Sequence, residues 1–326
     1  MKSIIKNKLI IITGFSRSGT TILGKVLGSM YPAIYCFEPS LMKYLNTYII
    51  ADVPAKLLFE TYILNEIQGR GNMNPFDDSY TANYLSWGDI ISGREQLRRR
   101  SDAEQHIIEN DYKFICKNTE LQYQMEMMSE FFPGVRFIHI IRNGYDAVES
   151  AIKRGWYTDD YCNASNVEDM IFHFKCDIPR FIDESCWDSW PDWNAETRAA
   201  CAWRSSVTSG LRYKHKYPKQ CIQFRYEDFA LDPEKYVRIF EKRYRLKSTR
   251  LTEKHIWDMG NFTPDRRNHK FLEKVAEPEF TKFIKLNKKL KYNFGGGIVY
   301  VPDMPLLKPS WHVGGIVPKI KNWHPK

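Results

Sequence analysis

Residues 8–21 read KLIIITGFSRSGTT. The run at 8–14 is short, β-branched and closed by a glycine, which describes a strand buried on both faces. The stretch 18–30, SGTTILGKVLGSM, reads as a helix, so the glycine-bearing segment is a strand-to-helix turn. Gly14 and Gly19 have the spacing of the phosphate loop G-x-x-x-x-G-K-[ST]. Backbone N–H groups at the start of such a helix bind an anion whatever the nucleotide. Two residues depart from the usual loop. Thr20 stands where the lysine is expected, and Arg142 closes the strand stretch VRFIHIIR (135–142) where a magnesium-binding Asp is expected. This combination suits an anion bound without a metal.

Outward from the loop, strand and helix signals alternate. AIYCF (33–37), KFICK (113–117), VRFIHIIR and CIQFRYEDF (221–229) read as strands. ELQYQMEMMSEFF (120–132), NGYDAVESAIKRG (143–155) and DPEKYVRIFEKRY (232–244) read as helices, the last with Asp before Pro at its start. The fold class expected is α/β: a P-loop-type parallel sheet flanked by helices, with helical insertions covering the ligand edge. One domain is expected over 1–326. Its nucleotide-binding core lies at about 8–36, 113–155 and 220–245, its insertions at about 41–112 and 157–200, and a C-terminal lid and tail at about 260–326.

The 326 residues carry 48 Lys+Arg against 39 Asp+Glu, a net charge of +9, which favours anionic partners. No apolar stretch of about 18 residues spans a membrane. The opening MKSIIKNKLIIITG has the lysines and apolar run of a leader, yet enters the glycine loop without a cleavage site, and so reads as the first strand. The seven cysteines show no metal spacing and read as thiols in a reducing compartment.

The loop residues Arg17, Ser18, Gly19, Thr20 and Thr21 spell R-S-G-T-T, and with RNGYDAVES (142–150) and FRYEDFALDPEKYVRIF (224–240) the chain resembles the sulfotransferase family. That family uses 3′-phosphoadenosine-5′-phosphosulfate (PAPS) and releases the desulfated product PAP. The resemblance implies that Arg142 and Ser150, eight residues apart, hold the 3′-phosphate. Gly144 permits the tight turn this needs. It covers about residues 8–245.

The same resemblance implies further roles. Glu38, in YCFEPS after the second strand, matches the family's presumed base for the acceptor hydroxyl; as a bare residue it also suits a helix start. Lys117 at the end of KFICK matches a lysine that steadies the leaving oxygen, and Arg17 serves both catalysis and binding. Arg154, four residues after Ser150, and Tyr226 of RYED match nucleotide contacts. Arg266 and Arg267 are candidates for a lid, and His106 for an alternative base. No metal is expected.

The acceptor is a hydroxyl compound. A carbohydrate is placed ahead of an acidic tyrosine peptide, with Trp156 and the CWDSWPDW run (186–193) as candidate sugar-stacking groups. A P-loop kinase or NTPase and a nucleic-acid-binding protein are rival classes, and neither has its motif here; a non-catalytic nucleotide-binding relative stays open if Glu38 points away from the site. The expected location is cytoplasmic, or the Golgi lumen if an N-terminal anchor has been removed.

Overall fold

The computed structural model describes residues 6–38, 61, 105, 108–163, 170–173, 176–259 and 269–292. It contains a five-stranded sheet of β1 (Leu9–Thr13), β2 (Ala33–Phe37), β3 (Lys113–Lys117), β4 (Arg136–Ile141) and β7 (Cys221–Arg225). The order is β2-β3-β1-β4-β7, and every pairing is parallel. Two more strands, β5 (Met170–His173) and β6 (Cys176–Pro179), form a separate antiparallel pair.

Helices cover both faces, which is why β1 is apolar at successive positions. Ile10 and Ile12 pack with Leu23, Val26 and Leu27 of α1 (Thr20–Gly28). Behind α1 lie α7 (Pro233–Tyr244) and α8 (Arg250–Met259), which contribute Phe240 and Met259 to the same core. Leu9 and Ile11 point the other way, toward Met125 and Met128 of α2 (Met125–Phe131). On that side also lie α3 (Gly144–Ile152), α5 (Ala195–Lys216) and α9 (Glu279–Lys289), packed through Tyr145, Trp203 and Phe283. The two remaining short helices are α4 (Asp159–Asn163) and α6 (Tyr226–Leu231).

β1 leads through α1 toward β2 on one side of the sheet, whereas β4 leads toward β7 on the other. The carboxyl ends of these neighbours therefore bound the crevice where open α/β sheets take ligands.

Several expected elements differ. The strand at 221–229 stops at Arg225, and Tyr226–Leu231 turns into α6, because Asp228 accepts two bonds from Arg225 and closes the first helical turn. The 157–200 stretch is mixed: α4, the β5–β6 pair and two 3-10 turns precede α5. α5 is capped by Asn194, whose side chain accepts from the Thr197 N–H, and runs 22 residues. Its buried Arg198 and Arg204 obscure the apolar stripe that would announce it. Most of 41–112 and the tail from 293 lie outside the described residues.

His139 sits inside β4, wholly buried, with neither ring nitrogen partnered among the described residues. A Cβ on Gly210 of α5 would lie 2.1 Å from its ring, so the helix reaches the sheet only because residue 210 is glycine. Burial pushes the imidazole down to about 3. The unfolded chain thus binds a proton below its ordinary 6.5 that the native chain refuses down to about 3. Stability falls with pH across that window by about 1.4 kcal/mol per unit from this group. A His139→Leu variant is expected to lose this share of the slope. Parallel denaturation curves of the two proteins at pH 7 and pH 5 check it: an equal loss in both removes the assignment.

Candidate active site

The loop between β1 and α1 adopts conformations that side chains rarely take. Gly19, the N-cap residue of α1, has φ +85°, and Arg17 has φ +71°. A Cβ on Gly19 would lie 2.2 Å from Cδ2 of Tyr226, so that ring lies against the loop backbone. A Cβ on Gly14 would lie 2.4 Å from the Ile140 carbonyl oxygen. Thr20 and Thr21 open α1, which has no side-chain cap and no acidic residue in its first turn. Its first N–H groups and the positive end of its dipole therefore face the loop without a counter-charge from those positions.

Cations gather at this loop. Arg142, immediately after β4, donates from Nη1 to the Arg17 carbonyl at 2.9 Å, and its guanidinium lies 5.3 Å from the Tyr226 ring centroid. Arg17 donates from Nε to Ser150 Oγ at 3.1 Å. Ser150 stands two turns into α3, and Arg17 links it to Arg142 through its side chain on one side and its carbonyl on the other. Partial burial, then the charges of Arg154 and Arg142, hold the Arg17 guanidinium below its ordinary range. Arg142 Nε and Ser18 Oγ are buried donors with no protein partner among the described residues. Clustered cations with unmet donors fit a multiply charged anion such as a nucleotide bearing two phosphate groups.

The second part of the site lies along the same sheet edge. Lys117 ends β3 opposite Ile12 of β1 and Phe37 of β2. Its side chain is 3% exposed, so it is not a surface lysine. Its ammonium pairs with the Glu38 carboxylate and lies 4.6 Å from the Phe37 ring centroid. The Glu38 N–H donates to the Lys117 carbonyl at 2.7 Å, continuing the β2–β3 ladder by one residue. Glu38 has φ +42° and a carboxylate 31% exposed, so the backbone is bent where the side chain meets solvent. This carboxylate and this ammonium are adjacent only because the two strands end in register.

Other residues that build the site were not singled out by the sequence. The segment after β3 runs along the phosphate loop. Glu120, at φ +61°, donates its N–H to the Gly14 carbonyl at 3.0 Å and accepts from the Ser16 N–H at 3.1 Å. Leu121 donates to Thr13 Oγ1 at 3.1 Å. The turn carrying Arg142 is held from three directions. Glu227, buried in α6, accepts from the Asn143 N–H at 2.8 Å and from the Tyr292 hydroxyl at 3.0 Å. Burial pushes its carboxyl up, against those two bonds, which favour the charged form. Trp203 Nε1 donates to the Arg142 carbonyl at 3.2 Å, and Asn287 Oδ1 accepts from the Gly144 N–H at 3.0 Å. The one sequence signal among these was the RYED stretch, read for its tyrosine alone.

Among the candidate stacking residues, Trp190 is fully buried against Tyr157 and Trp193 and serves the core. Trp187 donates to the Ile182 carbonyl and packs against the same cluster. Arg266, Arg267 and His106 lie outside the described residues.

Residues 10–241 match the profile described as the sulfotransferase family. A search of curated proteins returns no match. Three similar solved structures are sulfotransferase domains or enzymes. The domain from the Synechococcus PCC 7002 olefin synthase is 15% identical, with 89% of this chain and 96% of that chain covered at a TM-score of 0.47. The domain from the curacin biosynthetic pathway is 13% identical, covering 87% and 97% at 0.45. Sulfotransferase STF9 from Mycobacterium avium is 15% identical, covering 90% and 79% at 0.46.

Proposed function

Since the chain belongs to the sulfotransferase family, and is thereby an enzyme that draws on PAPS, we propose that it moves the sulfuryl group to a carbohydrate hydroxyl by in-line displacement. The observation that carries the donor end is the meeting of Arg17, Arg142, Ser150 and Tyr226 at the R-S-G-T-T loop. PAPS supplies the activated sulfuryl group. Arg142 and Ser150 hold its 3′-phosphate with Arg154 near by, the loop N–H groups and Arg17 hold the 5′ end, and Tyr226 flanks the nucleotide. These contacts set the sulfur at the sheet edge near Glu38 and Lys117, where orientation replaces a bimolecular encounter.

Glu38 takes the proton of the attacking hydroxyl, and Lys117 offers its ammonium to the oxygen that leaves. The net charge of +9 agrees with an acidic saccharide, and the FEP and RYED…LDP stretches resemble the carbohydrate branch. A peptide tyrosine is the second reading, favoured by the pairing of Glu38 with Lys117, which resembles the tyrosyl-protein branch.

Two measurements test the proposal. PAP titrated by calorimetry is expected to bind equally well with and without a chelator, because Arg142 occupies the strand end where a metal carboxylate would stand. Binding lost on chelation, or tighter binding of ATP, overturns the donor assignment. Sulfur-labelled PAPS is then offered with acidic oligosaccharides and acidic tyrosine peptides; label on the peptides alone overturns the carbohydrate reading.

A further inference from the structure

Outside the donor site, Cys186 and Cys201 share a buried cluster with Arg204 and Glu279. Cys186 ends a 3-10 turn (Glu184–Cys186) whose first two residues are exposed, and Cys201 lies on α5. The two sulfurs and a Glu279 oxygen all lie within 4.8 Å of one another. Such a trio could be read as metal ligands. Arg204 already occupies the centre, however: it donates to both Glu279 oxygens at 2.6 and 3.0 Å and to Cys186 Sγ at 3.0 Å. A metal cation would have to expel a guanidinium held by a bidentate bond. What the arrangement does suit is a thiolate at Cys186 beside a second thiol.

We infer that Cys186 and Cys201 are an oxidisable dithiol, a modification site in which the Cys186 sulfur attacks a peroxide and Cys201 closes the disulfide. Cys186 is the attacking sulfur because Arg204 is closer to it, 3.0 Å against 3.6 Å for Cys201. The hydrogen bond from Cys201 and the Arg204 charge draw the Cys186 thiol below its ordinary range against the effect of burial, while burial pushes Cys201 above it. The thiolate is the nucleophilic form. Cys186 also stands one residue from exposed Ser185, whereas the buried thiols Cys36, Cys116 and Cys221 lie in strands and Cys162 lies in α4.

The chemistry balances with one peroxide. The Cys186 thiolate bonds to one peroxide oxygen, the O–O bond breaks, and the departing hydroxide is protonated to water, leaving a sulfenic acid. Cys201 sulfur then attacks the sulfenic sulfur, the S–S bond forms, the S–O bond breaks, and the second hydroxide leaves with the Cys201 proton as water. Two thiols lose two electrons and two protons, and one hydrogen peroxide becomes two waters. The sulfurs must approach to about 2.05 Å, which side-chain rotation about Cβ supplies when the two Cβ atoms are already close.

The full-length protein is treated with graded hydrogen peroxide, blocked with N-ethylmaleimide and digested with trypsin. Cleavage after Arg180, Arg198 and Arg204 puts Cys186 in peptide 181–198 and Cys201 in peptide 199–204. The expected product is the two peptides joined, two hydrogens lighter than their sum, and restored by a thiol reductant. In Cys201→Ser, Cys186 is expected as a sulfenic acid that dimedone traps. In Cys186→Ser, Cys201 is expected to stay reduced. Cys186 in Cys201→Ser is also expected to alkylate about tenfold faster than strand-buried Cys221 at neutral pH. Wild-type protein whose two peptides carry maleimide separately, at peroxide levels that leave its circular dichroism native, overturns the inference. This wild-type measurement decides the question even if either variant folds poorly.

Discussion

Replacing Glu38 by glutamine is expected to lower turnover by about 10²–10⁴-fold, the usual worth of a general base, while leaving PAP affinity unchanged. Glutamine keeps the shape and one acceptor oxygen but takes no proton at neutral pH. The Glu38 side chain is 31% exposed at the crevice, so the acceptor can reach it, while its partner Lys117 is 3% exposed. The two residues therefore respond differently to loss of the other. Glu38→Gln strands a buried ammonium, and a lower melting temperature accompanies the loss of turnover. Lys117→Ala leaves a carboxylate that water can solvate, and its main effect is on the departure of the nucleotide. Because each residue orients the other, the double variant is expected to lose less than the product of the single losses. Near-normal turnover of Glu38→Gln on a true acceptor removes Glu38 from the mechanism and moves the search to His106.

Arg142→Ala and Ser150→Ala are each expected to weaken PAP by about 1.5–3 kcal/mol, roughly ten- to a hundredfold, the worth of a charge-assisted hydrogen bond. Adenosine 5′-phosphate, which lacks the 3′-phosphate, is expected to bind Ser150→Ala nearly as it binds the native protein. Ser150→Ala is the cleaner test, since Ser150 also accepts from Arg17, whereas Arg142 both supports the Arg17 carbonyl and flanks Tyr226. The Arg142 variant therefore loses some affinity for either ligand. Equal weakening of both ligands by Ser150→Ala overturns its assignment to the 3′-phosphate. Calorimetry with the two nucleotides reads the difference directly.

The stretch at 8–21 was sufficient to place β1, the loop and α1, because each signal there is local. A β-branched run must be buried on both faces, and a glycine at φ +85° admits no ordinary side chain. The eight-residue step from Arg142 to Ser150 was legible for the same reason, since a helix converts sequence distance into position. Glu38 and Lys117 were found one at a time, each at the end of its own strand. Their pairing was invisible, because it depends on β2 and β3 ending in register after 75 intervening residues between Phe37 and Lys113.

What holds the site in place came from farther away still. Glu120 against Ser16, Glu227 and Tyr292 behind Asn143, and Asn287 on Gly144 join segments more than 60 residues apart. No periodicity records such a contact, and a buried carboxylate such as Glu227 looks like any surface acid until its partners surround it. Trp190 shows the converse: it was a candidate sugar-stacking residue, and packing against α5 buries it. The sequence by itself determined the strand–loop–helix arrangement around the glycines, where neighbours along the chain set backbone conformation and charge. Only the tertiary structure decided which acid meets which base, because hydrogen bonds and ion pairs are set by distance in space, and that distance exists only once the sheet has formed.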